Sequence, residues 1–90
     1  MVEKKRLLEF YGTECRFCNK MKPLVERLEK EASVKVEKIE VWHNHKNAEL
    51  KKRYDQGFCN GVPFFINTAT GRWICGAVSY NDLKKWALGK

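Results

Sequence analysis

Cys15 and Cys18 are separated by two residues, and the chemistry of this chain starts from that spacing. A Cys-x-x-Cys serves zinc sites, haem attachment and redox pairs alike; here Asn19 rather than His follows Cys18, which excludes haem attachment. Position separates the other two uses. The motif falls directly after a short apolar run and at the start of a helix-period pattern. Unpaired N–H groups and the positive end of the helix dipole favour a thiolate there. The thiolate is the attacking form in disulfide exchange, and Arg16 adds a cation beside it. Cys15 is expected at the exposed tip of the helix, as the attacking sulfur. Cys18, one turn deeper on the buried face, is expected to resolve the mixed disulfide. Cys59 and Cys75 have no comparable spacing.

The elements that must position this pair follow from the apolar pattern. Arg6 to Tyr11, ended by Gly12, reads as a buried strand holding one acid, Glu9. From Cys15 onward Cys18, Met21, Leu24, Val25, Leu28 and Ala32 share a helical face, with Pro23 expected to kink the helix. Val34 to Trp42 alternates as a strand. Its apolar positions change phase at Glu37-Lys38, which predicts a bulge or bend. Asn47 to Tyr54 reads as a more polar second helix. Pro63 to Asn67 and Arg72 to Cys75 form a hairpin about Ala69-Thr70-Gly71, and Ser79 caps a last helix stopped by Gly89. The order βαβαββα implies an α/β chain with one mixed four-stranded sheet and three helices. In that hairpin Cys75 lies opposite Phe64 and Cys59 beyond the paired region, so a bond between those two cysteines is not expected.

Ninety residues make one domain, residues 1–90, with no room for a second core. The apolar share of 43% is that of a folded globular chain, and no run approaches the roughly 20 apolar residues of a membrane span. The basic start, Lys4-Lys5-Arg6, is followed by only two leucines before Glu9, too short for a secretory signal. A cytoplasmic location is therefore expected, where cysteines serve redox or metal chemistry rather than as staples. The net charge of +7 is spread over helical faces, with one cluster at Lys51-Lys52-Arg53. Without a groove-reading motif this reads as a solvated basic surface; no nucleic-acid partner and no membrane partner are expected.

With these residues in place the chain resembles the thioredoxin family. Leu8 to Cys18 looks like that family's strand-to-active-site segment, and Pro23 matches its kink proline. Gly61-Val62-Pro63 matches the tripeptide ending in a cis-proline that faces the disulfide, and Cys75-Gly76-Ala77 sits at its groove segment. The likeness runs from Leu7 to Ala87, without the extra N-terminal strand and helix of full thioredoxins, so the size is that of a glutaredoxin. It implies a thioredoxin-like fold and a thiol–disulfide oxidoreductase that needs no cofactor. Glu9 matches the buried acid that takes the proton of the second thiol, a role for which burial raises its pKa toward neutrality. Lys38 matches a lysine that moderates the shift by pairing with it. Val62, Pro63, Cys75 and Gly76 would form the client groove, with Val62 offering backbone groups to an extended substrate strand. Partners would be disulfide-containing client proteins and a thioredoxin-reductase-like or other dithiol donor, the chain itself acting as a monomer.

Two departures bear on the chemistry. Glu14 replaces the family's Trp before the first cysteine and opposes Arg16 in favouring the thiolate. Arg16-Phe17 between the cysteines matches none of the familiar dipeptides. Potentials set there span roughly −270 to −120 mV, about 7 kcal/mol for two electrons, so direction stays open apart from the reducing setting. Glutathione specificity is less expected, because Gly61 and the segment Gly76 to Ser79 differ from the glutaredoxin pattern. Cys59 and Cys75 read as semi-buried or accessory thiols. A metal module, zinc or iron–sulfur on Cys15, Cys18, Cys59 and Cys75, is the alternative, and His43 and His45 read as polar loop residues.

Overall fold

The computed structural model describes residues 7–57, 59 and 61–89. Lys4 to Arg6 and Lys90 lie outside the described residues. The elements run β1 (Leu7–Tyr11), α1 (Arg16–Ala32), β2 (Val36–Glu40), α2 (His45–Asp55), β3 (Phe64–Asn67), β4 (Trp73–Cys75) and α3 (Tyr80–Leu88). They form one mixed sheet in the order β2-β1-β3-β4. β1 pairs with β2 in parallel, from Leu7 opposite Val36 to Tyr11 opposite Glu40, and antiparallel with β3. The central place of β1 is why four of its five residues are buried.

Helices cover both faces of the sheet. On one, Leu7, Val36 and Phe65 pack under Met21, Val25 and Leu28 of α1 and under Leu83, Trp86 and Ala87 of α3. On the other, Leu8, Phe10, Val41 and Phe64 pack against Ala48, Leu50 and Tyr54 of α2. This two-sided burial corrects the expected bulge in β2. The register with β1 continues without a break through Glu37 and Lys38. Val36 belongs to the α1 face, while Ile39 and Val41 belong to the α2 face, so the change of apolar phase is a change of face and not of backbone.

Local signals set the ends. Ser79 Oγ accepts the Asp82 N–H at 3.2 Å to cap α3, and Asn44 Oδ1 accepts from Asn47 at 3.1 Å to cap α2. Pro23 lies inside α1. Asn67, wholly buried, joins hairpin to helix: its Nδ2 donates to the Trp86 carbonyl at 3.0 Å and its Oδ1 accepts from Ala69 N–H at 3.0 Å.

Candidate active site

β1 delivers the chain to the site through a tight corner. Gly12 lies under the indole of Trp42, where a Cβ would run into the ring, so no larger residue fits without moving Trp42. The Gly12 carbonyl accepts the Cys15 N–H at 3.0 Å, closing a turn that sets Cys15 at the N-cap of α1. Glu40 ties this corner to the loop after β2. Its Oε2 accepts from Thr13 N–H and Oγ1 at 3.0 and 3.1 Å, and its Oε1 accepts from His43 N–H at 2.7 Å.

Cys15 and Cys18 form a disulfide, with Cα atoms 5.2 Å apart. Cys15 Sγ accepts the Cys18 N–H at 3.1 Å, so the first turn of α1 spends a free donor on sulfur, and no acidic residue in that turn competes with the sulfur for the positive end of the dipole. The expected exposed tip is not found: Cys15 is 5% exposed and Cys18 4%. The Val62 carbonyl oxygen stands 3.7 Å from Cys15 Sγ, within reach of a reduced thiol's hydrogen bond, and the segment before β3 thereby covers the helix tip. What distinguishes the two sulfurs is therefore the surrounding chemistry. Cys15 holds the N-cap. Cys18 opens onto a cleft of about 260 Å³ that Glu9, Tyr11, Thr13, Lys22 and Lys38 also line.

Glu9 points from the middle of β1 toward the α1 face, 4% exposed. Its pKa is raised from 4.5 to about 7, chiefly by burial; Lys38 lowers it and Glu29 raises it. Lys38 stands opposite Glu9 in the β1–β2 register, but its expected ion pair with Glu9 is not made. The Lys38 ammonium lies 3.2 Å from Glu29 Oε2 and 3.3 Å from Oε1 on α1, and it also reaches the Val36 carbonyl at 3.5 Å. Glu29 Oε2 further accepts the Val36 N–H at 3.0 Å. A partly exposed carboxylate costs less to keep charged than a buried one, so the lysine settles there and Glu9 receives only its field.

On the other side of the tip, Glu14 is paired with His43, whose Nε2 lies 2.7 and 2.9 Å from its carboxylate oxygens. The hydrogen bond to Glu14 raises the His43 pKa. The charge of Glu14 beside Cys15 is thus partly offset by a loop residue that sequence left as a bystander. Glu29 also escaped the sequence reading, since a glutamate on a helix full of charge carries no mark of its partner.

The Val62–Pro63 peptide is cis. The Pro63 carbonyl accepts the Gly76 N–H at 2.8 Å, so that donor is engaged within the chain rather than offered to a client strand. Cys59 and Cys75, expected apart, form a second disulfide, with Cα atoms 5.5 Å apart. The register does place Cys75 opposite Phe64. The bond joins positions 16 residues apart, a closure that strand pattern does not reveal. The four cysteines therefore stand as two separate pairs and not as one four-thiolate set. Among the described residues no three His, Cys, Asp or Glu side chains come together to hold a metal ion.

A strand–helix corner that holds a Cys-x-x-Cys disulfide at a helix N-terminus, above a buried acid, defines a thiol–disulfide oxidoreductase on a thioredoxin fold. The thioredoxin family model matches residues 1–87, and the chain belongs to that family. Among solved structures it is similar to a point-mutant thioredoxin from Halobacterium salinarum NRC-1, with a TM-score of 0.76 and 28% identity over 94% of this chain and 73% of that one. No curated protein matches the chain.

Proposed function

We propose that this chain is a cytoplasmic reductant of protein disulfides, monomeric, and recharged by a thioredoxin-reductase-like or other dithiol donor. The Cys15 thiolate attacks a client disulfide, forms the mixed disulfide and expels one client thiolate. Cys18 then loses its proton to Glu9 and attacks Cys15 Sγ, which expels the second client thiolate and closes Cys15–Cys18. The client gains two electrons and the dithiol loses them. The observation that carries this reading is the shared cleft of Cys18 and Glu9, with the acid poised to change charge near neutral pH. The Val62 carbonyl borders Cys15, and the Gly76 N–H holds the Pro63 carbonyl; Val62, Pro63, Cys75 and Gly76 would together guide the client. No helix among the described residues is long and apolar enough to cross a membrane.

The test is alkylation mass spectrometry across buffers of defined potential. A reversible Cys15–Cys18 couple at roughly −230 mV or below supports the reductant, and one near −120 mV makes the chain an oxidase or isomerase instead. In the Cys18→Ser variant mixed disulfides should accumulate on Cys15 and identify the clients. A variant that traps none would remove Cys15 as the attacking sulfur.

A further inference from the structure

The two ends of the Cys59–Cys75 bond sit in unlike surroundings. Cys59 is 2% exposed, whereas Cys75, at the end of β4, faces solvent. The backbone of Cys59 is held without any help from sulfur. Its N–H donates to Asp55 Oδ1, and its carbonyl accepts from Lys51 Nζ at 2.8 Å. Lys51 and Asp55 are themselves paired at 2.7 Å, with side chains 13% and 7% exposed. Past Cys75, the Gly76 N–H holds the Pro63 carbonyl at 2.8 Å. Cys59 is thus anchored to α2, and the residue after Cys75 to Pro63, by hydrogen bonds that do not involve the disulfide. A staple adds most where the segments it joins have no other anchor. A disulfide between an exposed residue and a buried one on an anchored backbone suits exchange instead: attack is favoured at the exposed end, and the departing thiolate stays in place to return.

We propose that Cys59–Cys75 is a second thiol–disulfide exchange site, opened at Cys75 by an external dithiol while the fold stays intact. One thiolate of the dithiol attacks Cys75 Sγ, forming a mixed disulfide as the bond to Cys59 breaks and Cys59 leaves as a thiolate. The second thiolate of the donor attacks its own bonded sulfur and expels the Cys75 thiolate. The donor ends as a disulfide; its two electrons and two protons reside on Cys59 and Cys75. Cys59 stands a few positions before Val62 in sequence, and the Val62 carbonyl oxygen lies 3.7 Å from Cys15 Sγ. The proposal does not rest on the role given to Cys15 and Cys18.

The experiment uses the C15S/C18S variant, in which Cys59 and Cys75 are the remaining cysteines, in native buffers of graded dithiothreitol ratio. Trypsin places each cysteine of the wild-type chain on its own peptide, so alkylation reports each sulfur separately. Opening should be reversible, with the same midpoint from either direction and an unchanged near-ultraviolet circular dichroism spectrum. A pulse of glutathione with iodoacetamide present should leave glutathione on Cys75 at least tenfold more often than on Cys59. Opening only in denaturant that unfolds the protein, or adducts shared equally or favouring Cys59, would overturn the proposal. Should the double variant not fold, the same mapping on the wild-type chain reads the pair directly. Loss of exchange at Cys15 and Cys18 alone would leave this result untouched.

Discussion

Glu9 and Asp55 are buried to nearly the same degree, 4% and 5% exposed, yet they are equipped in opposite ways. Asp55 has a lysine at 2.7 Å and a backbone N–H from Cys59. Glu9 has a cleft and a sulfur near it, while the lysine in register with it is drawn off to Glu29. A buried acid with its charge matched is a clamp; one whose charge is felt but unmatched is a proton carrier near its pKa. Burial alone does not decide which of the two an acid becomes. The partner does.

The largest effect should come from breaking the clamp. Asp55→Ala strands the Lys51 ammonium among Phe64 and the Cys59 carbonyl, and loss of one member of a buried pair costs about 3–5 kcal/mol. Urea unfolding should show that loss, while the pH profile of disulfide exchange in the remaining folded protein stays where it was. A profile that moved with Asp55 would erase the distinction between the two acids.

Glu9→Gln should act the other way round. In single-turnover assays, release of the second client thiol should slow about a hundredfold above neutrality, and its rise with pH through about 7 should vanish. Stability should increase. The folded pKa of Glu9 lies above its unfolded value of 4.5, so the folded state holds the proton longer; the wild-type protein loses stability as pH climbs from 4.5 to about 7 and stays low above that. At pH ~8 the variant should therefore exceed wild type by up to about 3 kcal/mol, and below the unfolded value the two should agree. Equal stability at both ends would mean that Glu9 is solvated, not buried.

The neighbours of Glu9 sharpen the comparison with smaller effects of opposite sign. Glu29→Gln removes a charge that raises the Glu9 pKa and frees Lys38 to approach it, so the exchange profile should move to lower pH. Lys38→Met removes the charge that lowers it, and the profile should move to higher pH. Rates at neutral pH should change by no more than about threefold in either case, because both charges are partly exposed and screened. If Lys38→Met instead moved the profile to lower pH, Lys38 would not be the charge that Glu9 feels.

How much of this was legible in the sequence depends on the range of the interaction. The seven elements and their order follow from apolar spacing, and Glu9 stands out as an acid in an otherwise apolar strand. Both corrections in the sheet and at the site come from contacts between elements. The apolar phase of β2 needed a helix on each face to be understood, and Lys38 needed Glu29, nine residues back on α1. The Lys51–Asp55 clamp hides in a helix whose charges look solvated, where an i,i+4 pair is usually a surface feature. Cys59 and Cys75 are joined across 16 positions of sequence, and no periodicity records where a chain returns.

The smallest effect concerns Glu14 and tests whether charge or geometry matters at the helix tip. His43 and Glu14 are both 62% exposed, so their pairing adds little to the fold. The hydrogen bond to Glu14 raises the His43 pKa, so whatever the pair contributes is complete below the ordinary histidine value of 6.5 and fades as pH rises through the higher folded value. While His43 is charged, Glu14 is offset, and the Cys15 thiolate meets less repulsion. His43→Gln should therefore slow alkylation of reduced Cys15 by less than about threefold at pH ~6, and the effect should fade as pH rises through the raised folded value. The His43 N–H bond to Glu40 belongs to the backbone and survives the substitution, so the corner keeps its shape. Salt of about 0.5 M should erase the difference if it is electrostatic. A difference that persists in salt would mean that the His43 side chain holds the Glu14 turn in place, and that Cys15 depends on the position of that turn rather than on its charge.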